Sequence, residues 1–364
     1  MKIAFPRYAA ALALLLAPGG AFAQTMSIED YEPKSTLVVP EHKVTRAKYP
    51  FIDVHNHQNA GLSPEDLDRL VKDMDALNMA VMVNLSGRSG EALAKGVKTA
   101  SARPGRLLLF ANLDFSGIDD PGWGTRAAAQ LEADVKAGAK GLKIFKNFGM
   151  TLKDGKGERI HVDDARLDPI FEKCADLKIP VLIHTAEPAS FFEPQDRFNE
   201  RWLELKQFPQ RARPPDQFPP WETLVGEQHH LFARHPRTTF IDAHLGWMGG
   251  NLGRLGKLLD ERPNVYTEIG AVLAELGRQP RFARDFFVKY QDRVLFGKDT
   301  WAPEEYPVYF RVLETADEYF DYYRKRHAFW KMYGLGLPDE VLKKLYYKNA
   351  LRILPGLDGS AFPP

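Results

Sequence analysis

Residues 51–61 read FIDVHNHQNAG. Phe51, Ile52 and Val54 give the run the aromatic and β-branched character of a buried strand, yet His55 and His57 stand one residue apart at its end. Alternate residues of a strand share a face, so the two imidazoles point the same way, close enough to grip one ion. A bare HxH fits equally well a hydrogen-bonded core histidine beside one at the strand mouth. The decision therefore lies in what surrounds it.

Seven further strand-like runs follow: MAVMVNLS, RLLLFANLDF, KGLKIFK, PVLIHTA, TTFIDAHLG, NVYTEIG and VLFGKDT. Between them lie seven segments with apolar residues three and four apart, beginning with SPEDLDRLVKDMDALN and ending with RFARDFFVKYQDR. Apolar strands alternating with helices bury both faces in a parallel sheet, and eight such units close into a (β/α)8 barrel. An open doubly wound sheet is the alternative. It lacks its usual support, because no glycine-rich phosphate loop follows the first strand.

The chain has 364 residues, 44% hydrophobic and 27% charged, with a net charge of +1. Such a balance gives no electrostatic reason to expect nucleic acid or an anionic membrane, so a small molecule is the expected partner, with a homo-oligomer possible. At the start, Lys2 and Arg7 precede AALALLLA and a small-residue site at Ala21 and Ala23. That pattern reads as a signal peptide, residues 1–23, cut between Ala23 and Gln24, and hence as a periplasmic or secreted protein with no membrane span. Residues 24–48 read as an extended N-terminal arm and 49–357 as the barrel domain. Cys174, the only cysteine, sits among helix-spaced apolar residues and is expected to be buried. A Pro- and aromatic-rich stretch, 187–219, follows the fifth strand where a short loop would suffice; in a barrel it forms a lid or pocket wall, or else a packing excursion. The C-terminal part, including DEYFDYYRKRHAFWKMYG, is expected to be helical and to cap the barrel.

Catalytic groups of such barrels collect at the C-terminal ends of strands. His55 and His57 end the first strand, Lys143 and Lys146 fall in and after the fourth, His184 ends the fifth, His244 the sixth, Glu268 lies in the seventh and Asp299 ends the eighth. Four histidines and an aspartate at matching strand ends point to a metal site.

The motifs DVHNH, GLKIF, PVLIHTAEP, FIDAHLGW and VLFGKDT, in this order over residues 49–355, resemble the amidohydrolase superfamily, in particular the amidohydrolase-related branch that includes aminocarboxymuconate semialdehyde decarboxylase. The resemblance implies one divalent ion bound by His55, His57, His184 and Asp299. Three imidazoles and a carboxylate suit Zn²⁺, with Mn²⁺ or Fe²⁺ also possible. Asp299 would exchange the proton of the attacking water, and His244 would polarise substrate or move a proton. Lys143 sits where binuclear relatives carry a carbamylated lysine; here an unmodified ammonium paired with Asp299 or a substrate oxygen is expected. Arg88, Lys146 and Glu187 are candidate substrate-binding residues, with Trp247 and Trp301 as an apolar floor. Lys298 departs from the family, which commonly has a small residue before the last aspartate. These features imply a metal-dependent hydrolase of a small ester, lactone or amide. A metal-dependent non-oxidative decarboxylase is the alternative, and an inactive periplasmic binding protein a third reading.

Overall fold

A computed structural model describes residues 25–59, 62–327 and 330–364; the expected signal peptide and the Ala60–Gly61 end of the opening stretch lie outside them. Met1–Leu37 and Val38–Pro364 are separate compact units. In the first, the described residues carry one turn, where Ser27 Oγ donates to Asp30 Oδ2 at 2.7 Å. The second carries the strands and helices.

Its strands are β1 (Phe51–Asn56), β2 (Met79–Asn84), β3 (Leu107–Leu109), β4 (Ala111–Asn112), β5 (Leu142–Ile144), β6 (Val181–Ile183), β7 (Phe240–Asp242), β8 (Val265–Glu268) and β9 (Val294–Leu295). They pair in parallel in chain order, as a sheet of β1 to β3 and a sheet of β4 to β9. The expected third strand is divided at Phe110. The Phe110 amide still donates to Asn84 O, whereas that of Ala111 donates to Gly141 O at 2.8 Å, so the strand passes from one neighbour to the other. Gly141 permits this: a Cβ there would lie 2.4 Å from the Phe110 ring. The circuit closes between β9 and β1, where Val54 N donates to Phe296 O (2.9 Å), Asp299 N donates to His55 O (2.6 Å), and Asn56 bridges Asp299. This is the (β/α)8 arrangement read from the sequence.

The helices α1 (Pro64–Leu77), α2 (Gly90–Ala100), α3 (Trp123–Ala137), the kinked turn α4 (Asn147–Met150), α5 (Asp168–Leu177), α6 (Trp202–Gln207) and α7 (Trp221–Arg234) fill the first connections. After β7 come α8 (Leu252–Glu261), α9 (Leu273–Gly277), α10 (Pro280–Lys289), α11 (Tyr306–Glu314), α12 (Asp339–Lys343) and α13 (Asn349–Ile353). Sequence explains α1 well. Ser63 Oγ accepts from Asp66 N while Asp66 Oδ2 accepts from Ser63 N, Pro64 stands in the first turn, and Asn78 ends the helix at φ 70°. Leu67, Leu70, Met74 and Leu77, spaced three and four apart, are its buried face.

One expectation fails. Within DEYFDYYRKRHAFWKMYG the described residues form an antiparallel hairpin, β10 (Phe320–Asp321) with β11 (Lys331–Met332), rather than a helix. Phe320 and Tyr322 are buried and Asp321 is exposed, the period of a strand, and Gly334 N donates to Asp317 O at 2.7 Å across the base. The same aromatic spacing satisfies a helical pattern, so the sequence alone misleads here.

Candidate metal centre

His55 closes β1 with its ring fully buried. Its Nδ1–H donates to Glu268 Oε1 at 2.8 Å, from the end of β8. Glu268 also accepts from His244 N at 2.6 Å and, through Oε2, from Gly270 N at 2.5 Å. The approach is close enough that a Cβ on Gly297 would lie 2.4 Å from Glu268 Oε2 and 2.9 Å from His55 Cβ; hence the glycine of VLFGKDT. Burial opposes ionisation of Glu268, but the neighbouring His55 and His244 overcome it and bring its pKa to about 2. Burial, the largest influence, pushes His55 down, but the Glu268 charge together with the contacts to Asp299 and Glu268 outweighs it and leaves the pKa raised. A potential that attracts a proton also attracts a metal cation.

His57 follows β1, and its Nδ1 is 2.9 Å from Ser86 Oγ, which comes from the turn after β2. Burial first, then the charges of His55 and Lys143, lower its pKa to about 3, so it is neutral at pH 7. Asp299 Oδ1 lies 3.3 Å from His55 Nε2 and 3.5 Å from His57 Nε2. Two ligand atoms each ~2.1 Å from one ion at a tetrahedral angle are ~3.4 Å apart, so these separations match ligands around one cation. Burial resists ionisation of Asp299, but the imidazoles of His55, His244 and His184 hold its carboxyl well below the usual range.

The fourth expected ligand stands slightly apart. His55, His57 and Asp299 offer ligand atoms within 4.8 Å of one another, and His184 is not in that group. Its ring centroid lies 4.4 Å from that of His244, and its Nδ1 lies 3.3 Å from His244 Nε2. His244 Nδ1–H donates to Gly270 O at 2.7 Å, which makes its Nε2 the acceptor and His184 Nδ1–H the donor. Both nitrogens of His244 are thereby engaged within the protein. Burial, then His244, holds His184 well below its ordinary pKa.

A common pattern emerges. His55, His57 and His184 each have Nδ1 engaged, by Glu268, Ser86 and His244. The Nε2 atoms of His55 and His184 are buried with no hydrogen-bond partner among the described residues. Orphaned imidazole nitrogens beside an ionised carboxylate fit a divalent cation.

The chain reaches His244 through an unusual turn. His244, Leu245, Gly246 and Trp247 are consecutively left-handed, with φ of 59°, 53°, 58° and 54°. Each non-glycine residue there costs ~1–2 kcal/mol. The turn stacks the Trp247 ring on His244 with centroids 4.5 Å apart. Asp299, at φ 81°, is a further left-handed residue of the site.

Behind β1, buried Asp53 accepts from His55 N (3.0 Å), Asn56 Nδ2 (3.0 Å) and Tyr306 OH (2.6 Å). Burial outweighs these bonds and raises its pKa to about 6. Asn56 thus turns away from the imidazoles, as the strand alternation requires. Lys298, the departure from the family pattern, is buried on the outer side, its Nζ donating to Thr300 O (2.8 Å) and Glu305 Oε2 (2.5 Å).

Lys143 Nζ is buried without a hydrogen-bond partner among the described residues; burial lowers its pKa to about 7 against the opposing charges of Asp299 and Glu268, which leaves it open to a substrate oxygen. Lys146 and Glu187 do meet: Glu187 Oε1 accepts from Lys146 Nζ (2.6 Å) and from Arg213 Nη2 (2.8 Å). Arg88 is exposed on a turn at φ 68°, and Trp301 packs edge-on against Tyr306 at 5.6 Å. Sequence reasoning noted Glu268 without a role and missed Ser86 and Arg213. A glutamate in an otherwise buried strand was the available signal for the first; Arg213, inside the long insertion, offered none. Cys174 is buried as expected. His161 and His230 lie on the surface, pairing with Glu227 (2.8 Å) and Asp163 (2.6 Å).

The family model described as Amidohydrolase matches residues 40–356. No curated protein matches the chain. Among solved structures, a 2,6-dihydroxybenzoate decarboxylase from Rhizobium shares 16% identity over 84% of this chain and 98% of its own, with a TM-score of 0.53. A dihydroxybenzoic acid decarboxylase from a Polaromonas species, solved with bound manganese and 2-nitroresorcinol, shares 15% over 84% and 96%, also at 0.53. A 4-oxalomesaconate hydratase from Rhodopseudomonas palustris shares 17% over 85% and 97%, at 0.50. At these identities the likeness is one of fold.

Proposed function

Because the chain belongs to the amidohydrolase family, we propose that it is a metal-dependent hydrolase cleaving an ester, lactone or amide bond of a small organic acid or sugar derivative. The observation that carries this reading is the set of three imidazoles engaged through Nδ1, two of them with buried, unpartnered Nε2 atoms, around an ionised Asp299. His55, His57, His184 and Asp299 would hold one divalent ion, Zn²⁺ by ligand chemistry, with Mn²⁺ and Fe²⁺ as alternatives. Such an ion supplies Lewis acidity, polarising the scissile carbonyl and making a water acidic at neutral pH.

The chain's own groups do the rest. Asp299, held ionised, takes the proton of the attacking water as its oxygen bonds to the carbonyl carbon, and returns that proton to the leaving group as the old bond breaks. His244 keeps His184 in the tautomer whose Nε2 is free. Lys143 Nζ is an uncommitted donor for a substrate oxygen. Lys146 and Arg213, sharing the single Glu187 charge, leave a net positive mouth suited to an anionic substrate group. The leader-like residues 1–23 support export to the periplasm. Among the described residues no helix is long and apolar enough to cross a membrane.

Decarboxylation is the second reading, and it draws on Lys143, whose ammonium at a pKa of about 7 would serve as the proton donor to carbon. The held ionisation of Asp299 favours hydrolysis, since a base is needed there. The deciding assay incubates the metal-loaded enzyme with aryl esters, lactones and hydroxy-aromatic acids, measuring acid release against CO₂. Acid without CO₂ is expected; CO₂ release overturns the hydrolase reading. Metal analysis is expected to give one ion per chain, and two would restore the carbamylated Lys143.

A further inference from the structure

Lys298 stands immediately before Asp299, in the turn that follows β9, and its side chain is fully buried. Burying an ammonium is unfavourable unless its hydrogens find acceptors. Here Nζ donates to Thr300 O at 2.8 Å and to Glu305 Oε2 at 2.5 Å, while the Tyr306 and Tyr323 ring centroids lie 5.2 and 6.0 Å from it. Glu305, in the short turn Pro303–Glu305 before α11, balances the lysine charge and also meets Arg324 at 3.9 Å. The contact with Thr300 has a different consequence. A side chain that bonds the carbonyl two residues further on closes a ring, and the ring contains the whole backbone of Asp299.

That backbone needs a hold. Asp299 has φ 81°, a left-handed conformation that residues with a Cβ rarely adopt. Before the aspartate the chain is fixed by the sheet: Asp299 N donates to His55 O at 2.6 Å, and Lys298 N donates to Asp53 Oδ1 at 3.2 Å. Gly270 closes one side, since a Cβ there would lie 3.3 Å from Lys298 C and 3.4 Å from Asp299 N. Past the aspartate the chain leaves the sheet, and the ammonium supplies the donor that fixes Thr300 O. The carboxylate is thereby presented with Oδ1 3.3 Å from His55 Nε2 and 3.5 Å from His57 Nε2.

We propose that Lys298 is a positioning residue for Asp299: its ammonium, through the Thr300 carbonyl, holds the left-handed turn that aims the carboxylate at His55 and His57. It acts through the backbone and contributes no ligand atom. The role rests on the proposed metal centre, with Asp299 as ligand and base, but not on which bond is cleaved.

Lys298→Met keeps the aliphatic stem and removes the charge. In that variant Zn²⁺ affinity, read by competition with a chromophoric chelator, should fall about tenfold or more, and kcat should fall about tenfold or more with KM within about twofold. The visible absorption of the Co²⁺-loaded protein should also change, because it reports the geometry of the ligands. Lys298→Met/Glu305→Leu leaves no unpaired carboxylate and should show the same changes, which keeps the test open if the single variant does not fold. Glu305→Gln removes the ion pair but retains an acceptor and the Thr300 bond; it should lower Tm while keeping the Zn²⁺ affinity and the cobalt spectrum. Wild-type Zn²⁺ affinity and cobalt spectrum in the Lys298 variants, or an equal loss in Glu305→Gln, would overturn the proposal and leave Lys298 as an ion-pair partner only. Neither metal readout uses a substrate, so CO₂ release by the wild type would remove the hydrolase reading and leave the positioning role standing.

Discussion

Among the described residues three groups of histidines and carboxylates bring potential ligand atoms within 4.8 Å, two of them sharing His55, and they make an instructive contrast with the third. At the strand ends lie His55, His57 and Asp299, with His244 and Glu268 beside His55; away from them lie His161 and Asp163, before α5, and Glu227 in α7. In this outlying group, Glu227 already accepts from Arg159 Nη1 (2.9 Å) and Nη2 (2.5 Å) and from Val162 N (3.0 Å), and it meets His161 Nδ1 at 2.8 Å. Asp163 is taken by His230. Its charges are satisfied, and the His161 side chain is 58% exposed. At the strand ends, every anchor sits on the far nitrogen and the near ones are left bare. Ligand chemistry alone does not make a site; unspent, preorganised lone pairs do.

Substitutions can break or sharpen this contrast. The largest effect belongs to Asp299→Asn, which removes the proton acceptor while keeping the side-chain shape; turnover should fall about 10³-fold or more, read by initial rates. Activity at the wild-type level in that variant would defeat the mechanism. Glu268→Gln removes no ligand but weakens the hold on His55 Nδ1. Metal affinity should drop by roughly 10–100-fold, measured by competition with a chromophoric chelator.

The third effect appears in pH dependence. Asp242, at the end of β7, is buried and accepts from Gln228 Nε2 at 2.9 Å, and burial raises its pKa from 3.8 to about 8. A raised folded pKa means the neutral form is favoured by folding. Its contribution is complete below 3.8 and is lost as pH rises towards 8, with a limiting slope of about 1.4 kcal/mol per pH unit. Asp242→Asn keeps the Gln228 bond, so its Tm should decline less than the wild type's between pH 5 and 9; parallel curves would remove the assignment. The smallest effect lies in the other cluster. His161→Ala should change stability by no more than about 0.5 kcal/mol in urea unfolding and leave the metal content untouched. Loss of a bound ion there would erase the contrast.

Much of this was legible in the chain. FIDVHNH, HTA, DAHLG and FGKDT each end a strand with the polar residue the barrel brings to one rim, and strand alternation alone turns Asn56 away from His55 and His57. What failed was local ambiguity or long-range pairing. In the 317–334 run, aromatic spacing satisfied a helix and a hairpin alike, and the packing of Phe320 and Tyr322 decided. The pairing of Glu187 with Arg213 left no local signal, because whether two groups meet depends on the backbone between them.

The sequence by itself determined the barrel, the strand ends and the identity of the residues gathered there, because hydrophobic period and side-chain alternation are local properties repeated eight times. Only the tertiary structure decided which nitrogen of each imidazole is engaged, that Glu268 and Ser86 do the anchoring, that AHLGW runs through four left-handed residues, and that Arg213 returns from the insertion to Glu187. Those facts depend on distances between residues as far apart as His55 and Glu268, and such distances are fixed by packing of the whole barrel rather than by any segment of it.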